Sequence, residues 1–347
     1  MTRVLLAIPS VMKRGIEEDV AAGRHPTMDY DALTNALLAR GASVECIDYQ
    51  TVAAERIPKD VALALRAYRD RCDYDVIFTN GENVSIPLAL LLKTTIRRPR
   101  HVTIGHRLSA AKKRPFFTLW KAHRQIDRIF VYAATQYRYA VDVLGIPEQT
   151  LALIPFHADT RFFRPDPSIA ESANLVSAAG LEWRDYDTLI AAASRLPDVA
   201  FSLAAASPWS KHRNATENRV LPPGVSARRY EYGELRALYA ASALVAVPLI
   251  ENDFQAGVTT ILEAMAMGKP VVTTATTGQK DVIVDGETGF YVSPGDVDGW
   301  IAAIDRLRND DALRRRVGGA ARAWIEEHAS LDKWAATIAG AILSGPE

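Results

Sequence analysis

Short apolar runs alternate with longer helical stretches along the chain, and this alternation constrains the fold more than any other feature of the sequence. In the first half the strand-like runs are RVLLAIP (3–9), ASVECID (42–48), DYDVIFTN (73–80), RHVTIGH (100–106), RIFVYAA (128–134) and TLALIPF (150–156). Strands that alternate with helices are typical of parallel α/β sheets. We therefore expect the first half of the chain to be a doubly wound α/β domain.

The pattern stops once and then restarts. Segment 156–174 is rich in proline and polar residues, and further strand-like runs follow at 174–180, 199–206, 224–230, 243–250, 270–275 and 289–294. DVIVD (281–285) is helix-like. A length of 347 residues also favours two domains. The prediction is an α/β chain with domains at 1–165 and 166–327, followed by a C-terminal helix in 328–347 that crosses back to the first domain.

Composition indicates a globular, cytoplasmic chain. Apolar residues make up 48% of the sequence and charged residues 24%. The longest apolar runs, such as ALVAVPLI (243–250), are far too short to span a membrane. The N-terminus lacks the features of a signal peptide, and Cys46 and Cys72 have no metal-ligand spacing. No structural disulfide and no metal site are therefore expected.

Charge is distributed unevenly although the net charge is zero. Residues 1–165 contain 24 Lys and Arg against 17 Asp and Glu, and segment 91–140 contains twelve basic residues and one acid, Asp127. This segment is either a solvated basic face or a surface for an anionic acceptor or an anionic membrane. Within it, KKRPFFTLWKAHR (112–124) is either a helix with an aromatic core stripe or a membrane-interface segment.

The stretch ENDFQAGVTTILEAMAMGKP (251–270) combines a long polar loop with a short helix. It follows the strand-like run 243–250, and ligands of open α/β sheets bind beyond the carboxyl ends of the strands. The N-terminus of a helix suits phosphate, and Gly257 permits close backbone approach. From spacing alone, Glu263 is either a ligand-binding residue or the closing member of a capping box with Thr260. Gln255 is either a ligand contact or a solvated loop residue.

Several blocks of the second half resemble the retaining glycosyltransferases with a GT-B fold, in which two Rossmann-like domains face a cleft. These blocks are IPFHADTRFFRP (154–165), AAGLEWRDYDTLIAAA (178–193), GELRALYAAS (233–242), LEAMAMGKPVV (262–272), TTGQKDVI (276–283) and DGETGFYVSPGD (285–296). The first half matches only in its strand rhythm and at IGH (104–106). The resemblance implies a nucleotide-sugar domain at 166–327 and an acceptor-side domain at 1–165.

The resemblance also implies roles for individual residues in the nucleotide-sugar domain. The family carries a Glu-x7-Glu signature, whose second Glu, which binds the donor ribose, corresponds to Glu263. Its first Glu, which contacts the transferred sugar, corresponds to Gln255, so an amide replaces an acid. The following positions, implied to contact the sugar and the diphosphate, are Ala256, Gly257, Val258, Thr259 and Thr260.

Two cations bind the diphosphate in the family, and only one position matches here. Arg184 corresponds to the family's Lys, and its alternative interpretation is a surface ion pair. Leu181 occupies the place of the family's Arg, and the substitutes for that cation are Lys280, Lys211 or Arg219.

In the first half, His106 matches a His that approaches the donor sugar, and Gly15 matches a loop glycine that approaches the donor phosphates. A hydrogen-bonded strand-end histidine is the alternative for His106. His25, in the same loop-rich part of the chain as Gly15, is a possible acceptor-side residue.

The implied activity is the transfer of a hexose from a UDP-sugar, or alternatively a GDP-sugar, to a hydroxyl acceptor with retention of configuration. The acceptor is a small molecule, a glycan or a lipid-linked compound, no nucleic acid is involved, and no cofactor or metal is obligatory. Peripheral contact with the inner face of a membrane through segment 91–140 is compatible with its charge. Because Gln255 and Leu181 depart from the family pattern, a catalytically weak sugar-nucleotide-binding protein or partner subunit is an alternative function. A sugar-nucleotide epimerase is a further alternative.

Overall fold

The computed structural model describes residues 1–205 and 220–344. The chain forms two compact units. Unit 1 consists of Met1–Glu17, Thr27–Pro155 and Asp332–Glu347, and unit 2 consists of Glu18–Pro26 and Phe156–Leu331. The short segment Glu18–Pro26 therefore clusters with unit 2, although its neighbours on both sides belong to unit 1.

Unit 1 is built on a parallel sheet with strand order β2-β1-β3-β4-β5-β6. Its strands are β1 (Arg3–Ala7), β2 (Ser43–Ile47), β3 (Val76–Thr79), β4 (Arg100–Gly105), β5 (Arg128–Val131) and β6 (Leu151–Leu153). The helices of the same stretch of chain are α1 (Glu17–Ala21), α2 (Asp29–Leu38), α3 (Lys59–Arg69), α4 (Glu82–Leu92), α5 (Arg114–Thr118) and α6 (Ala134–Asp142). Two apolar clusters cover the sheet, one around Leu5 and Ile77 and the other around Phe117 and Ile129.

Unit 2 repeats this architecture with strand order β12-β11-β10-β7-β8-β9 among its described residues. Its strands are β7 (Ser172–Ala179), β8 (Ala200–Ala204), β9 (Val225–Ala227), β10 (Ser242–Val247), β11 (Val271–Thr274) and β12 (Gly289–Val292). Its helices are α7 (Tyr186–Ala193), α8 (Tyr232–Ala241), α9 (Val258–Ala266), α10 (Val297–Asn309) and α11 (Asp311–His328). The doubly wound fold predicted from the sequence is confirmed, since both sheets are parallel and strands alternate with helices.

The last helix, α12 (Leu331–Leu343), packs on unit 1. The Trp334 indole N–H donates to the Tyr132 hydroxyl at 3.1 Å. Arg100 donates to the backbone carbonyls of Ala341 and Ile342 at 3.2 and 3.1 Å. Within the described part of the chain, no helix combines the length and the apolar character needed to cross a bilayer.

The helix expected at 281–285 does not form. Val282 and Ile283 are buried in the core, whereas Val284 is exposed. Asp285 forms an isolated parallel bridge with Gly289 and its carboxylate accepts the Tyr291 backbone N–H at 3.0 Å. The Asp285-Gly286 turn favours this extended path, because Gly286 adopts a φ of 76° and leads the chain directly into β12.

Two adjacent glycines in α11 provide a test of how this helix packs. A Cβ built on Gly318 would lie 2.0 Å from the Gly268 carbonyl oxygen, whereas a Cβ on Gly319 would meet nothing within 4 Å. We predict that Gly318→Ala lowers the free energy of unfolding by about 1–3 kcal/mol or more, because two backbones are forced apart. Gly319→Ala should raise the free energy of unfolding by up to about 1 kcal/mol. Urea unfolding of both variants measures the difference, and equal effects would contradict the packing described here.

Candidate functional site

The loops after β7 and β10 are joined by backbone hydrogen bonds at the carboxyl edge of the sheet of unit 2. These strands are parallel neighbours, with Ala246 opposite Ala178. Beyond them, Arg184 and Leu249 form an antiparallel bridge, and the Asp185 N–H donates to the Pro248 carbonyl at 3.1 Å. The Ile250 N–H donates to the Trp183 carbonyl at 3.0 Å. We define residues 250–257 as the donor loop. Its first residue, Ile250, is therefore held by a backbone hydrogen bond to the loop after β7.

Arg184 connects the end of β7 to the start of α9. Its guanidinium donates to the Ala179 carbonyl at 2.9 Å, to the Glu182 carbonyl at 2.9 Å and to the Thr260 hydroxyl at 3.2 Å. The ion pairs of the described residues do not include Arg184, so the surface ion pair considered from the sequence is wrong. Burial lowers the pKa of Arg184. Four nearby groups act against this shift, namely Tyr186, Tyr239, Glu182 and Glu263.

Two glycines make room for this guanidinium. A Cβ on Gly180 would lie 2.4 Å from one Arg184 nitrogen, and a Cβ on Gly257 would lie 3.3 Å from another. Gly257 also has a φ of 76° and caps the N-terminus of α9, where no side chain forms a capping hydrogen bond. Substitution at either position would therefore displace the arginine or strain the backbone.

The N-terminus of α9 lies at the same edge, and of its first amides that of Val258 donates to the Gln255 carbonyl at 3.4 Å. The first helical hydrogen bond runs from the Ile261 N–H to the Gly257 carbonyl at 3.1 Å, so the amides before it lie outside the helical pattern. Gly257, Val258, Thr259 and Thr260 are the positions that the sequence analysis assigned to the sugar and the diphosphate, and the Arg184 guanidinium lies beside Gly257 and Thr260. Backbone donors, a helix dipole and a cation together suit an anion such as a diphosphate.

Glu263 does not cap α9. Its carboxylate lies one turn into the helix and accepts a hydrogen bond from the Tyr239 hydroxyl at 3.4 Å. Burial raises the pKa of Glu263 to about 8, although Tyr239 and Arg184 both favour the ionised form. The capping interpretation is therefore wrong, and Glu263 is a half-buried acid that holds its proton at neutral pH in the free protein.

Gln255 is buried, with 9% of its surface exposed, so the interpretation as a solvated loop residue is also wrong. Its side-chain carbonyl oxygen has no hydrogen-bond partner among the described residues. Ala256 follows it in the core, and its N–H donates to the Phe254 carbonyl at 2.7 Å. An orphaned buried acceptor costs about 1–3 kcal/mol, which points to a ligand group or water at this place.

The second cation remains a prediction. Leu181 packs against the core cluster of α7 and β8. Lys280 is exposed and close enough to Glu251 to help lower the pKa of that carboxyl, although the Thr277 hydrogen bonds are the larger cause. Lys211 and Arg219 lie outside the described residues.

His106 and Gly15 belong to unit 1. His106 is exposed directly after β4, and its ring lies 5.6 Å from that of Tyr132. Gly15 has a φ of 74° in the loop after β1, where a Cβ would meet nothing within 4 Å. His25, by contrast, belongs to unit 2 and packs edge-on against Tyr232 with ring centroids 4.7 Å apart. This placement differs from the acceptor-side position considered from the sequence.

Glu82 is a residue that the sequence analysis missed. Its buried carboxylate accepts the backbone N–H groups of His106 and Arg107 at 2.8 and 3.1 Å and forms an ion pair with the buried Lys113 ammonium. Burial alone would raise the pKa of Glu82, but the charges of His106 and Lys113 hold it below its ordinary value. An acid at the first position of α4, directly after β3, was the available signal.

Comparisons with known proteins bear on the family and the fold. Residues 173–310 match the family model described as glycosyl transferases group 1. The MMP alpha-(1->4)-mannosyltransferase of Mycolicibacterium hassiacum is 25% identical over 80% of this chain and 73% of its own length. The D-inositol 3-phosphate glycosyltransferase of Corynebacterium aurimucosum is 38% identical over 56% of this chain, but only 42% of its own length is covered.

Solved structures share the fold over nearly the whole chain. HepE from Anabaena, in complex with UDP and glucose, has a TM-score of 0.70 at 17% identity and covers 99% of this chain and 100% of its own. Sucrose-phosphate synthase from Thermosynechococcus elongatus has a TM-score of 0.74 at 18% identity, with 97% of each chain covered.

The two parallel-sheet units have the architecture of the GT-B glycosyltransferases. The match in unit 2 goes further: residues 173–310 are similar to the group 1 glycosyltransferases, and the comparisons support a glycosyltransferase enzyme.

The raised pKa of Glu263 predicts a pH dependence of stability. Between the ordinary value of 4.5 and about 8, the folded protein holds a proton that the unfolded chain releases, so the free energy of unfolding falls as pH rises through this window. Glu263→Gln should remove this contribution, which cannot exceed about 1.4 kcal/mol per pH unit. Among the groups that face Glu263, Tyr239 and Tyr232 have pKa values raised by burial and stay uncharged over this range, and the Arg184 guanidinium acts against the shift of Glu263.

Isothermal urea unfolding between pH 5 and pH 8.5 measures the slope. Exposed Glu287, changed to Gln, is the matched control and should leave the slope unchanged. An identical slope in the wild type and in Glu263→Gln would show that the Glu263 carboxyl titrates normally.

Proposed function

We propose that this glycosyltransferase moves a hexose from a UDP- or GDP-sugar to a hydroxyl acceptor with retention of configuration at the anomeric carbon. The observation that carries the proposal is the cluster at the carboxyl edge of unit 2, where Arg184, the amides of α9 and Glu263 meet. A UDP-sugar is favoured, and GDP stays open because one relative, 29% identical, is named as GDP-mannose-dependent.

Each part of the cluster has a role in this proposal. Arg184 and the amides of Gly257 to Thr260 bind the diphosphate and stabilise the negative charge that develops as it departs. Glu263 binds the ribose hydroxyls, and a carboxyl group can both accept from and donate to them. Gln255 and Ala256 contact the transferred sugar, while the donor-side roles of His106 and Gly15, which belong to unit 1, stay predictions. Transfer is proposed to proceed without a metal, with the leaving phosphate taking the acceptor proton.

A catalytically weak sugar-nucleotide-binding protein is the second candidate. Gln255 favours it, because an amide supplies hydrogen bonds but no negative charge near an oxocarbenium-like centre. Tight binding of UDP with no turnover on any donor, unchanged by Gln255→Glu, would support this candidate over the enzyme.

The test of nucleotide binding is the substitution Glu263→Ala. Titration calorimetry with UDP, GDP and their hexose conjugates should show binding by the wild type, and the variant should lose about tenfold or more in affinity because two ribose hydroxyls lose their partner. Glu287→Ala, at an exposed acid of the same unit, is the control and should bind as the wild type does. Mass spectrometry of products formed with cell extract and EDTA then identifies the acceptor, and NMR gives the anomeric configuration. Unchanged affinity in Glu263→Ala would contradict the proposed ribose contact.

The proposal also includes peripheral contact with an anionic membrane through what we call the basic-aromatic surface of unit 1. We define this surface by the exposed residues Lys93, Ile96, Arg97, Arg114, Leu119 and Trp120. The Lys93 ammonium donates to the Trp120 carbonyl at 2.7 Å and joins the two loops that carry the apolar side chains. Of the aromatic residues considered from the sequence, Phe117 is in the core, whereas Trp120 is 52% exposed.

Cosedimentation with vesicles tests this surface. We predict binding to vesicles of phosphatidylcholine with 30 mol% phosphatidylglycerol, and weakening of that binding by about tenfold or more in Trp120→Ser, because burying a large apolar side chain is worth about 1.5–3 kcal/mol. Leu38→Ser, at an exposed leucine outside the surface, should bind as the wild type does. Equal binding by both variants, or none by the wild type, would remove the membrane from the proposal.

A further inference from the structure

Segment 276–280, which follows β11, lies directly against the donor loop. The Gly278 N–H donates to the Asn252 carbonyl at 2.9 Å, and the Thr277 N–H donates to the Glu251 carboxylate at 2.9 Å. The side-chain amide of Gln279 donates to the Ala256 carbonyl at 3.1 Å. Three hydrogen bonds thus attach this segment to both ends of the donor loop.

Gly278 permits this close approach. A Cβ at this position would lie 2.2 Å from both the backbone nitrogen and the carbonyl oxygen of Phe254. The two backbones are therefore in direct contact, and no other residue type fits without separating them. The contact places Gln279 beside Ala256 and so next to the residue that we assign to the transferred sugar, Gln255.

Three buried polar oxygens at this junction have no hydrogen-bond partner among the described residues. They are the side-chain carbonyl oxygens of Gln255 and Gln279 and the hydroxyl oxygen of Thr276. The exposed fractions of these residues are 9%, 1% and 0%. The orientation of the Gln279 amide follows from its bond to Ala256, since only the NH2 group can donate to that carbonyl.

Orphaned acceptors of this kind are rare in folded proteins and each costs about 1–3 kcal/mol unless a ligand or water satisfies it. Two of the three are amide carbonyls, which accept hydrogen bonds and carry no charge. They suit the hydroxyl groups of a sugar, which donate. They do not suit a carboxylate, which offers acceptors only and would face them with like polarity.

We propose that Gln279 and Thr276 act together with Gln255 as specificity-determining residues for the transferred sugar, and that they select an uncharged hexose over a uronic acid through its hydroxyl groups. This inference rests on the proposed function of the donor loop. In this proposal, segment 276–280 and the donor loop bind the transferred sugar from different sides. Arg184, α9 and Glu263 bind the nucleotide.

The test compares free nucleotides with sugar nucleotides. Gln279→Met keeps the length of the side chain but removes both its acceptor and the amide that donates to the Ala256 carbonyl. Thr276→Val, which removes a hydroxyl that forms no hydrogen bond with the donor loop, is therefore measured beside it. Calorimetry with UDP and UDP-glucose, and with GDP and GDP-mannose, should show unchanged affinity for the nucleoside diphosphate and a loss of roughly tenfold for its sugar conjugate, the usual effect of removing one buried hydrogen-bond partner. The wild type should also bind UDP-glucuronate more weakly than UDP-glucose, and Gln279→Met should reduce that preference.

Two further variants make the result decisive. Thr276→Val removes the hydroxyl at constant shape. If Gln279→Met unfolds, Thr276→Val should show the same result, namely unchanged affinity for the nucleoside diphosphate and weaker binding of its sugar conjugate. Gln149→Met, at an exposed glutamine of unit 1, should change neither affinity. Equal weakening of nucleotide and sugar nucleotide, or no change in their ratio, would overturn the specificity role while leaving nucleotide binding intact. Absence of nucleotide binding by the wild type would overturn the proposed function itself.

Discussion

The candidate donor site depends on the place of the Arg184 guanidinium between the end of β7 and the start of α9. Its three donors go to two backbone carbonyls and one hydroxyl. Gly180 and Gly257 supply the space, because a Cβ at either position would crowd it. Since none of these partners is a carboxylate, the positive charge of Arg184 is held in place without being cancelled. The same contacts join Arg184 to the first turn of α9.

The electrostatic consequence follows from the neighbouring acid. A carboxylate next to Arg184 would ordinarily offset its charge, but burial raises the pKa of Glu263 to about 8. At neutral pH the free site is therefore a cation, a helix N-terminus and an uncharged acid. A cation and a helix N-terminus suit a diphosphate, and the uncharged acid can still hydrogen-bond a ribose. Gln255 continues the pattern, because an amide in place of an acid adds no negative charge.

The strands could be predicted from the sequence, because buried parallel strands consist of short apolar runs rich in β-branched residues. Each such run in both halves of the chain forms a strand. The sequence also drew attention to the segment after β10, because a polar loop with a glycine follows an apolar strand-like run there. It failed where the outcome depended on distant residues. Burial of Glu263 against Tyr239, the pairing of Glu82 with Lys113 and the packing of 18–26 on unit 2 all join parts of the chain that no local pattern connects.

The basic segment 91–140 shows why charge counts alone could not decide its role. Some of its cations are structural: Lys113 pairs with buried Glu82, Arg98 pairs with Asp127, and Arg100 binds carbonyls of α12. Of these, the buried Lys113–Glu82 pair lies beside the loop that begins at His106, since Glu82 also accepts the backbone N–H groups of His106 and Arg107. Others, including Arg97 and Arg114, are exposed around Leu119 and Trp120. Lys121, which follows Trp120, has a φ of 49°, an unusual conformation for a residue with a side chain. The unusual backbone at Lys121 and the two apolar side chains outside the core are the observations that favour the proposed membrane surface over a solvated basic face.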